Sequence, residues 1–106
     1  MELHGNSLSN PNPHHLYAIF DTTENDVFKY GITDDPMEKD GLSKRIRLQI
    51  DFLNRAVGFD RFSGKILLKN ISGRAEAKAI EDEFIDRYYD EYGRKPRGNP
   101  VGGTRR

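Results

Sequence analysis

The sequence contains no cysteine, so neither disulfides nor thiolate metal sites can contribute to this protein. No apolar run approaches the length that crosses a membrane, and no membrane partner is expected. A glycine-rich phosphate loop and a pair of histidines at helical metal spacing are also missing. His14 and His15 adjoin, but neighbours on a strand point to opposite faces, which makes them a poor metal pair. These absences remove several familiar catalytic devices.

The net charge is zero, with 17 basic and 17 acidic residues among 106, yet the charges are unevenly distributed. Residues 93–106 contain five basic residues and no acidic one, and residues 41–55 contain four basic residues against one aspartate. If the fold brings these segments together, they form one positive face; otherwise they are two solvated surfaces. The residues predicted to contact nucleic acid are Lys44, Arg47, Arg94, Lys95 and Arg97.

Hydrophobic periodicity predicts five elements of secondary structure in one α+β domain. The predicted order is β-β-α-β-α, over residues 15–21, 27–33, 42–56, 62–71 and 73–92. The first two strands are separated by a short polar turn and should form an antiparallel hairpin. The simplest architecture is a three-stranded sheet flanked by helices.

The ends of the elements carry their own signals. Ser72 is a plausible N-cap for the second helix, and Gly93 is a natural stop. Residues 1–13 are rich in Asn, Ser, Gly and Pro and predict an extended linker or junction rather than packed structure. We therefore place the domain at residues 14–100, followed by a flexible basic tail at 101–106.

Glu81 is the acidic residue in the middle of the second helix's apolar stripe. Residues three, four or seven apart share a helix face: Ala77 and Ile85 lie four residues from Glu81, Phe84 three and Tyr88 seven. A carboxylate placed there must be paired, protonated or bound to a metal, because burying it bare is costly. The alternatives are therefore a metal ligand, the partner of a buried arginine, or a helix-end residue that reaches water.

The second strand contains a glycine, Gly31, which is unfavourable there unless a ligand or another element approaches the backbone closely. The two residues before it, Lys29 and Tyr30, should point to opposite faces of the sheet. Only one of them can line a site together with Tyr17 of the first strand, and the sequence leaves open which one.

Tyr17, Lys29 or Tyr30, Arg45 and Glu81 together suit phosphodiester hydrolysis. A carboxylate can hold one Mg²⁺ whose other positions are filled by water, and the metal polarises a phosphate oxygen. An arginine neutralises the charge that develops in the transition state. A tyrosine of lowered pKa, or water held by it, can act as the base. Each residue alone is weak evidence, because tyrosines in strands usually serve packing.

The order of these residues resembles the GIY-YIG nuclease superfamily over about residues 15–100. The matching segments are Leu-Tyr-Ala-Ile, Lys-Tyr-Gly-Ile-Thr, Ser-Lys-Arg-Ile-Arg-Leu-Gln, Ala-Ile-Glu-Asp-Glu-Phe-Ile and Gly-Asn-Pro. The first family motif, Gly-Ile-Tyr, keeps its tyrosine here as Tyr17. In the second motif, Tyr-Ile-Gly, Lys29 takes the tyrosine position and Tyr30 the isoleucine position. A histidine often found four residues after the family's arginine is here Gln49.

The resemblance implies a metal-dependent endonuclease that uses a single Mg²⁺ or Mn²⁺ ion. Glu81 would be its metal ligand, Arg45 its catalytic arginine and Asn99 its late asparagine. The expected substrate is DNA, with RNA as the alternative. Two rival interpretations are a repair or mobile-element nuclease of the same family and a non-catalytic nucleic-acid-binding module that kept the fold.

The two ends of the chain resemble a narrower context. The opening His-Gly-Asn-Ser-Leu-Ser-Asn-Pro-Asn-Pro is similar to the junction before C-terminal toxin domains of bacterial polymorphic toxins, including Rhs-type proteins. The ending Gly-Arg-Lys-Pro-Arg-Gly-Asn-Pro is similar to the tails of such domains. This implies a toxin that the producing cell delivers and that acts in the cytoplasm of the target cell. It also implies a cognate immunity protein as partner.

Overall fold

The computed structural model describes residues 7–105 and confirms the predicted α+β fold. The elements are β1 (Pro13–Asp21), β2 (Asp26–Thr33), α1 (Lys44–Val57), β3 (Phe62–Ser72) and α2 (Arg74–Tyr92). The sheet is three-stranded and antiparallel in the order β2-β1-β3, so β1 pairs on both sides. Within residues 7–105, no helix is both long and apolar enough to span a membrane.

Side chains alternate across the sheet, and each face packs against one helix. Leu16 of β1 belongs to a buried cluster that includes Ala77 of α2. Its neighbour Tyr17 belongs to a second cluster, which includes Ile46 of α1. The two helices therefore cover opposite faces of the sheet, and Tyr17 faces α1.

Of the two signals predicted for the ends of α2, the structure confirms the C-terminal one and corrects the N-terminal one. Gly93 ends α2 in the left-handed conformation, with φ of 74° and its N–H donated to Tyr89 O over 2.7 Å, as predicted. The prediction of Ser72 as N-cap is wrong: Gly73 is the N-cap, with φ of 86°, and no side chain caps the helix. Ser72 still pairs with Pro13 in the sheet, so the chain must turn at the next residue, where only glycine adopts the required φ without strain.

The N-terminal segment differs from the predicted extended linker. Residues 1–6 lie outside the described residues, but Asn10 is buried, its side chain donates to Asp34, and its carbonyl accepts from Arg74 N at 3.0 Å. The last residues before β1 are thus packed onto the domain.

The C-terminal segment runs along the free edge of β2 and then along α2. Gly98 N donates to Phe28 O over 2.7 Å, and Asn99 bonds to Tyr30 in the same strand. Farther on, Gly103 N donates to Asp82 of α2 over 2.9 Å. The domain boundary at residue 100 and the flexibility of the tail stay predictions.

Candidate active site

A hydrogen-bonded chain connects β1, β2 and α1 at the centre of the candidate site. Lys29 Nζ donates to Gln49 Oε1 over 2.8 Å, and Gln49 Nε2 donates to the Tyr17 hydroxyl oxygen over 2.9 Å. The lysine ammonium can only donate, so the amide oxygen faces Lys29 and the amide N–H₂ faces Tyr17. Because the Tyr17 oxygen accepts this bond, its own proton remains available to a ligand.

Gly31 provides the space that the ring of Tyr17 occupies. The two residues are paired directly across β1 and β2, and a Cβ on Gly31 would lie 2.3 Å from the Tyr17 Cζ and Oη atoms. Of the two explanations for a glycine in this strand, close approach by another element therefore applies.

The structure places Lys29 and Tyr30 on opposite faces, as expected, and distinguishes between them. Lys29 shares the face of Tyr17 and bonds into the chain described above. Tyr30 packs edge-on against Phe84 of α2, with ring centroids 5.5 Å apart. Of this pair, Lys29 therefore lines the site, and Tyr30 contributes to the packing of the other face.

Arg45 lies in the first turn of α1 and supplies positive charge beside Tyr17. It is exposed and lines the same cavity as Lys29 and Gln49. Burial lowers the pKa of Lys29, the charge of Arg45 lowers it further, and the charge of Glu81 opposes both effects. The charges of Arg45 and Glu81 thus both act on Lys29, although α1 and α2 pack on opposite faces of the sheet.

The expectation of a tyrosine with lowered pKa is wrong for Tyr17. Its side chain is 2% exposed, and this burial raises the pKa of the phenol, with Glu81 adding to the rise. Gln49 and Arg45 favour the ionised form but do not reverse the effect. A buried phenol with raised pKa stays protonated near neutral pH, so of the two expected roles the holding of water is favoured.

Glu81 lies in the buried stripe of α2, as predicted, with Ala77, Ile85 and Tyr88. Its partner is Lys78 on the same helix, whose Nζ lies 2.8 Å from Oε1 of Glu81 and 3.0 Å from Asp82. Lys78 is partly exposed, so the pairing of Glu81 with a buried arginine, one of the alternatives that the sequence left open, is not what the structure has.

A Mg²⁺ ion at Glu81 would be held by one or two protein carboxylates, since Asp82 shares the Lys78 ammonium with Glu81. Within the part of the chain that the structure describes, no three His, Cys, Asp or Glu residues cluster at ligand spacing. Mg²⁺ usually keeps several waters and takes one or two carboxylates plus substrate phosphate oxygens. The residues present fit such an ion, with the Lys78 ammonium as a competitor for the same carboxylate.

The side chain of Asn99 forms hydrogen bonds with the backbone at the free edge of β2. Its Oδ1 accepts from Tyr30 N at 2.8 Å, and its Nδ2 donates to Tyr30 O over 2.9 Å. Both ends of the amide are thus used on backbone, and the residue is 8% exposed. Asn99 positions β2 and the segment after α2.

The residues predicted to contact nucleic acid differ in their exposure and in whether a carboxylate pairs with them. Lys44 is exposed beside Arg45 and has no ion pair within residues 7–105, while Lys95 is half-buried. Three arginines are paired with carboxylates: Arg47 with Glu38 and Asp40, Arg94 with Asp26, and Arg97 with Asp21. The paired arginines hold local structure, and their charge is partly compensated.

Sequence reasoning recognised Gln49 only as a departure from the family's histidine. Its position four residues after Arg45 places both on one face of α1, and this spacing could have suggested a shared site. It also missed Asp21, which is fully buried and bonds to Arg61 at 2.8 and 2.9 Å as well as to Arg97. Nothing local indicates that pairing, because its partners are distant in the chain.

No curated protein and no solved structure is found to match the chain. One family model does match, and it covers residues 7–93, which include every element of secondary structure and all of the Tyr17–Gln49–Lys29 chain. Its description is URI fold toxin 2, which agrees with a toxin domain of the polymorphic type and with a nuclease-like fold. The chain belongs to the URI fold toxin 2 family, Tox-URI2.

Proposed function

We propose that this domain is a metal-dependent endonuclease of the GIY-YIG type that cleaves DNA in a competing bacterial cell. The observation that carries the proposal is the convergence of Tyr17, Gln49 and Lys29, in one hydrogen-bonded chain, with Arg45 at the same cavity. A phenol hydroxyl and two cations gathered around one glutamine side chain suit the binding of a phosphodiester. Membership of a toxin family supports the proposal that this nuclease activity is delivered into other cells as a toxin.

Each residue has a distinct role in this proposal. Arg45 and Lys29 neutralise the phosphate and the charge that grows on it during cleavage. Gln49 holds the Tyr17 oxygen so that the hydroxyl proton points to a phosphate oxygen or to the attacking water. The raised pKa of Tyr17 keeps this proton in place near neutral pH.

Glu81 is the proposed metal ligand. A bound Mg²⁺ or Mn²⁺ supplies polarisation of a phosphate oxygen and stabilisation of the leaving oxygen. The carboxylate is held inward by the apolar residues on either side of it in the helix, and its charge already acts on Tyr17 and Lys29. Lys78 balances this charge in the absence of metal.

The deciding experiment replaces Glu81 with glutamine, which keeps the shape and removes the charge. We expect nicking of supercoiled plasmid to be lost at every Mg²⁺ concentration, with the thermal midpoint of the metal-free protein unchanged or higher. The matched control is Glu83→Gln on the same helix, because Glu83 is exposed and pairs with Arg87 on the outer face. Parental cleavage by Glu81→Gln would refute the assignment, and unfolding would make Glu81 a structural ion-pair partner.

A second experiment tests Tyr17 with Tyr30 as its control. Tyr17→Phe keeps the packed ring and removes the hydroxyl, and we expect the cleavage rate to fall by roughly 10²-fold or more. Tyr30→Phe lies on the opposite face and should cleave like the parent. Equal losses in the two variants would contradict the proposed site.

The toxin proposal predicts a cognate immunity protein. A cleft with several cations favours an acidic inhibitor that associates rapidly. Expression of the domain in a bacterial cytoplasm should be toxic and should be rescued by the gene next to it. Harmless expression of a folded, active domain would contradict a toxin that acts in the target-cell cytoplasm.

A non-catalytic nucleic-acid-binding module remains the second candidate, because Lys29 replaces the family's second tyrosine. Plasmid nicking with and without Mg²⁺ separates the two. Binding without cleavage at any metal concentration would favour the second candidate.

A further inference from the structure

A groove of about 640 Å³ adjoins the candidate site and has two chemically different parts. Its lining includes three cations, Lys29, Lys44 and Arg45, and one carboxylate, Asp35. Most of the remaining lining is apolar. The residues of this apolar wall are Phe28, Leu48, Phe52 and Leu53. The groove shares Lys29, Arg45 and Gln49 with the candidate site, so an occupant would lie beside the place proposed for the phosphate.

The apolar wall includes side chains that the core does not use. Phe52 is 72% exposed and Leu48 is 59% exposed, whereas Ile46 of the same helix is fully buried against the sheet. Arg45, Leu48 and Phe52 follow at helical spacing along one side of α1. The stripe therefore runs from cation to aromatic over about 10 Å of helix, by a rise of 1.5 Å per residue.

We propose that this groove binds an unpaired nucleobase next to the cleaved phosphate, with the base on Phe52, so that the enzyme prefers single-stranded or locally unpaired nucleic acid. The cations take the phosphate at one end, and the apolar wall takes the flat face of a base at the other. A base inside a duplex is stacked on its neighbours and cannot reach such a wall. This inference rests on the proposed function and names its substrate class.

The test compares binding of a single strand and of a duplex of the same sequence. The single strand carries 2-aminopurine, whose fluorescence reports stacking, and a chelator keeps the protein from cleaving. We expect tighter binding of the single strand, a fluorescence change on binding, and a roughly tenfold weaker Kd for Phe52→Ala, in line with base–aromatic stacking. Phe52→Trp should restore binding.

Phe59→Ala is the matched control. Phe59 is also an exposed phenylalanine, at 54%, but it lies beyond the end of α1 and outside the groove. Its replacement should leave single-strand binding unchanged. Because both side chains are exposed, neither variant is expected to unfold, and thermal melts check this.

The outcomes separate the inference from the proposed function. If Phe52→Ala binds the single strand like the parent, or if the parent cleaves strand and duplex at equal rates, the inference is wrong while the nuclease proposal stands. If the parent cleaves no nucleic acid with any metal, the nuclease proposal fails, and the binding assay still decides the groove. If Phe52→Ala binds nucleic acid normally but escapes the inhibitor, the groove docks a protein and the inference is overturned.

Discussion

Replacing Gly31 with alanine should destabilise the domain and disable the site in one step. The new Cβ would lie 2.3 Å from Cζ and Oη of Tyr17, closer than any real contact, and the ring would have to move. Tyr17 is only 2% exposed and packs in a cluster with Ile46 and Phe62, so a displaced ring would press on these neighbours. Moving the ring also breaks the hydrogen bond from Gln49, because that bond ends on the same hydroxyl.

The expected magnitude follows from three contributions. Overpacking of a tight core costs about 1–3 kcal/mol. Loss of the Gln49–Tyr17 hydrogen bond adds about 1 kcal/mol. Replacing a glycine reduces the entropy of the unfolded chain and offsets about 0.4–1 kcal/mol. The net loss of about 1–3.5 kcal/mol corresponds to a thermal midpoint lower by roughly 5–20 °C for a domain of this size.

The assay combines thermal melts with DNA cleavage measured well below the midpoint of the variant. A displacement of about 1 Å at the site should reduce the rate by about 10²-fold even in folded protein. Gly64→Ala is the control on the same face: its Cβ would lie 2.7 Å from Ile50 Cδ1, the end of a flexible side chain. It should melt closer to the parent and keep its activity.

The reasoning would be refuted by a double variant. Tyr17→Leu removes the atoms that the new Cβ meets, so Gly31→Ala should cost little in that background. An equal loss of stability in both backgrounds would show that the clash with Tyr17 is not the cause.

Three further predictions concern charge and the C-terminal segment. Arg61 holds the pKa of the fully buried Asp21 far below its usual value. The charged Asp21 therefore stabilises the fold above about pH 4, which is the pKa of aspartate in the unfolded chain. This stabilisation is lost as the pH falls toward the pKa of Asp21 in the folded protein. Asp21→Asn should therefore lower the thermal midpoint near pH 7, with a gap to the parent that narrows in melts below pH 4. Lys44→Gln should weaken DNA binding, and the slope of log K against log salt concentration should become shallower by about one, because the lysine is unpaired within residues 7–105. Arg47→Gln should change this slope less in the same salt titration, because Arg47 is paired with Glu38 and Asp40. Asn99→Ala should lower the thermal midpoint, because two hydrogen bonds to the Tyr30 backbone are lost, but the purified variant should still cleave DNA. Complete inactivity of a folded variant would contradict the positioning role of Asn99.

The sequence by itself determined the elements and their order, because periodicity is a local property of the chain. Alternation along the first strand put Tyr17 and Leu16 on different faces, and helical spacing put Glu81 in the apolar stripe of α2. Gly93 signalled the end of that helix for an equally local reason, the low cost of its left-handed conformation.

Only the tertiary structure decided which side chains meet. The cap fell on Gly73 rather than Ser72, because pairing of β3 with β1 holds Ser72 in the sheet. Lys29 rather than Tyr30 joined the site, because the register between β1 and β2 sets which face looks toward α1. Tyr17 is held by Gln49 of α1, which is held in turn by Lys29 of β2, and contacts between residues far apart in the chain depend on packing that no local pattern encodes.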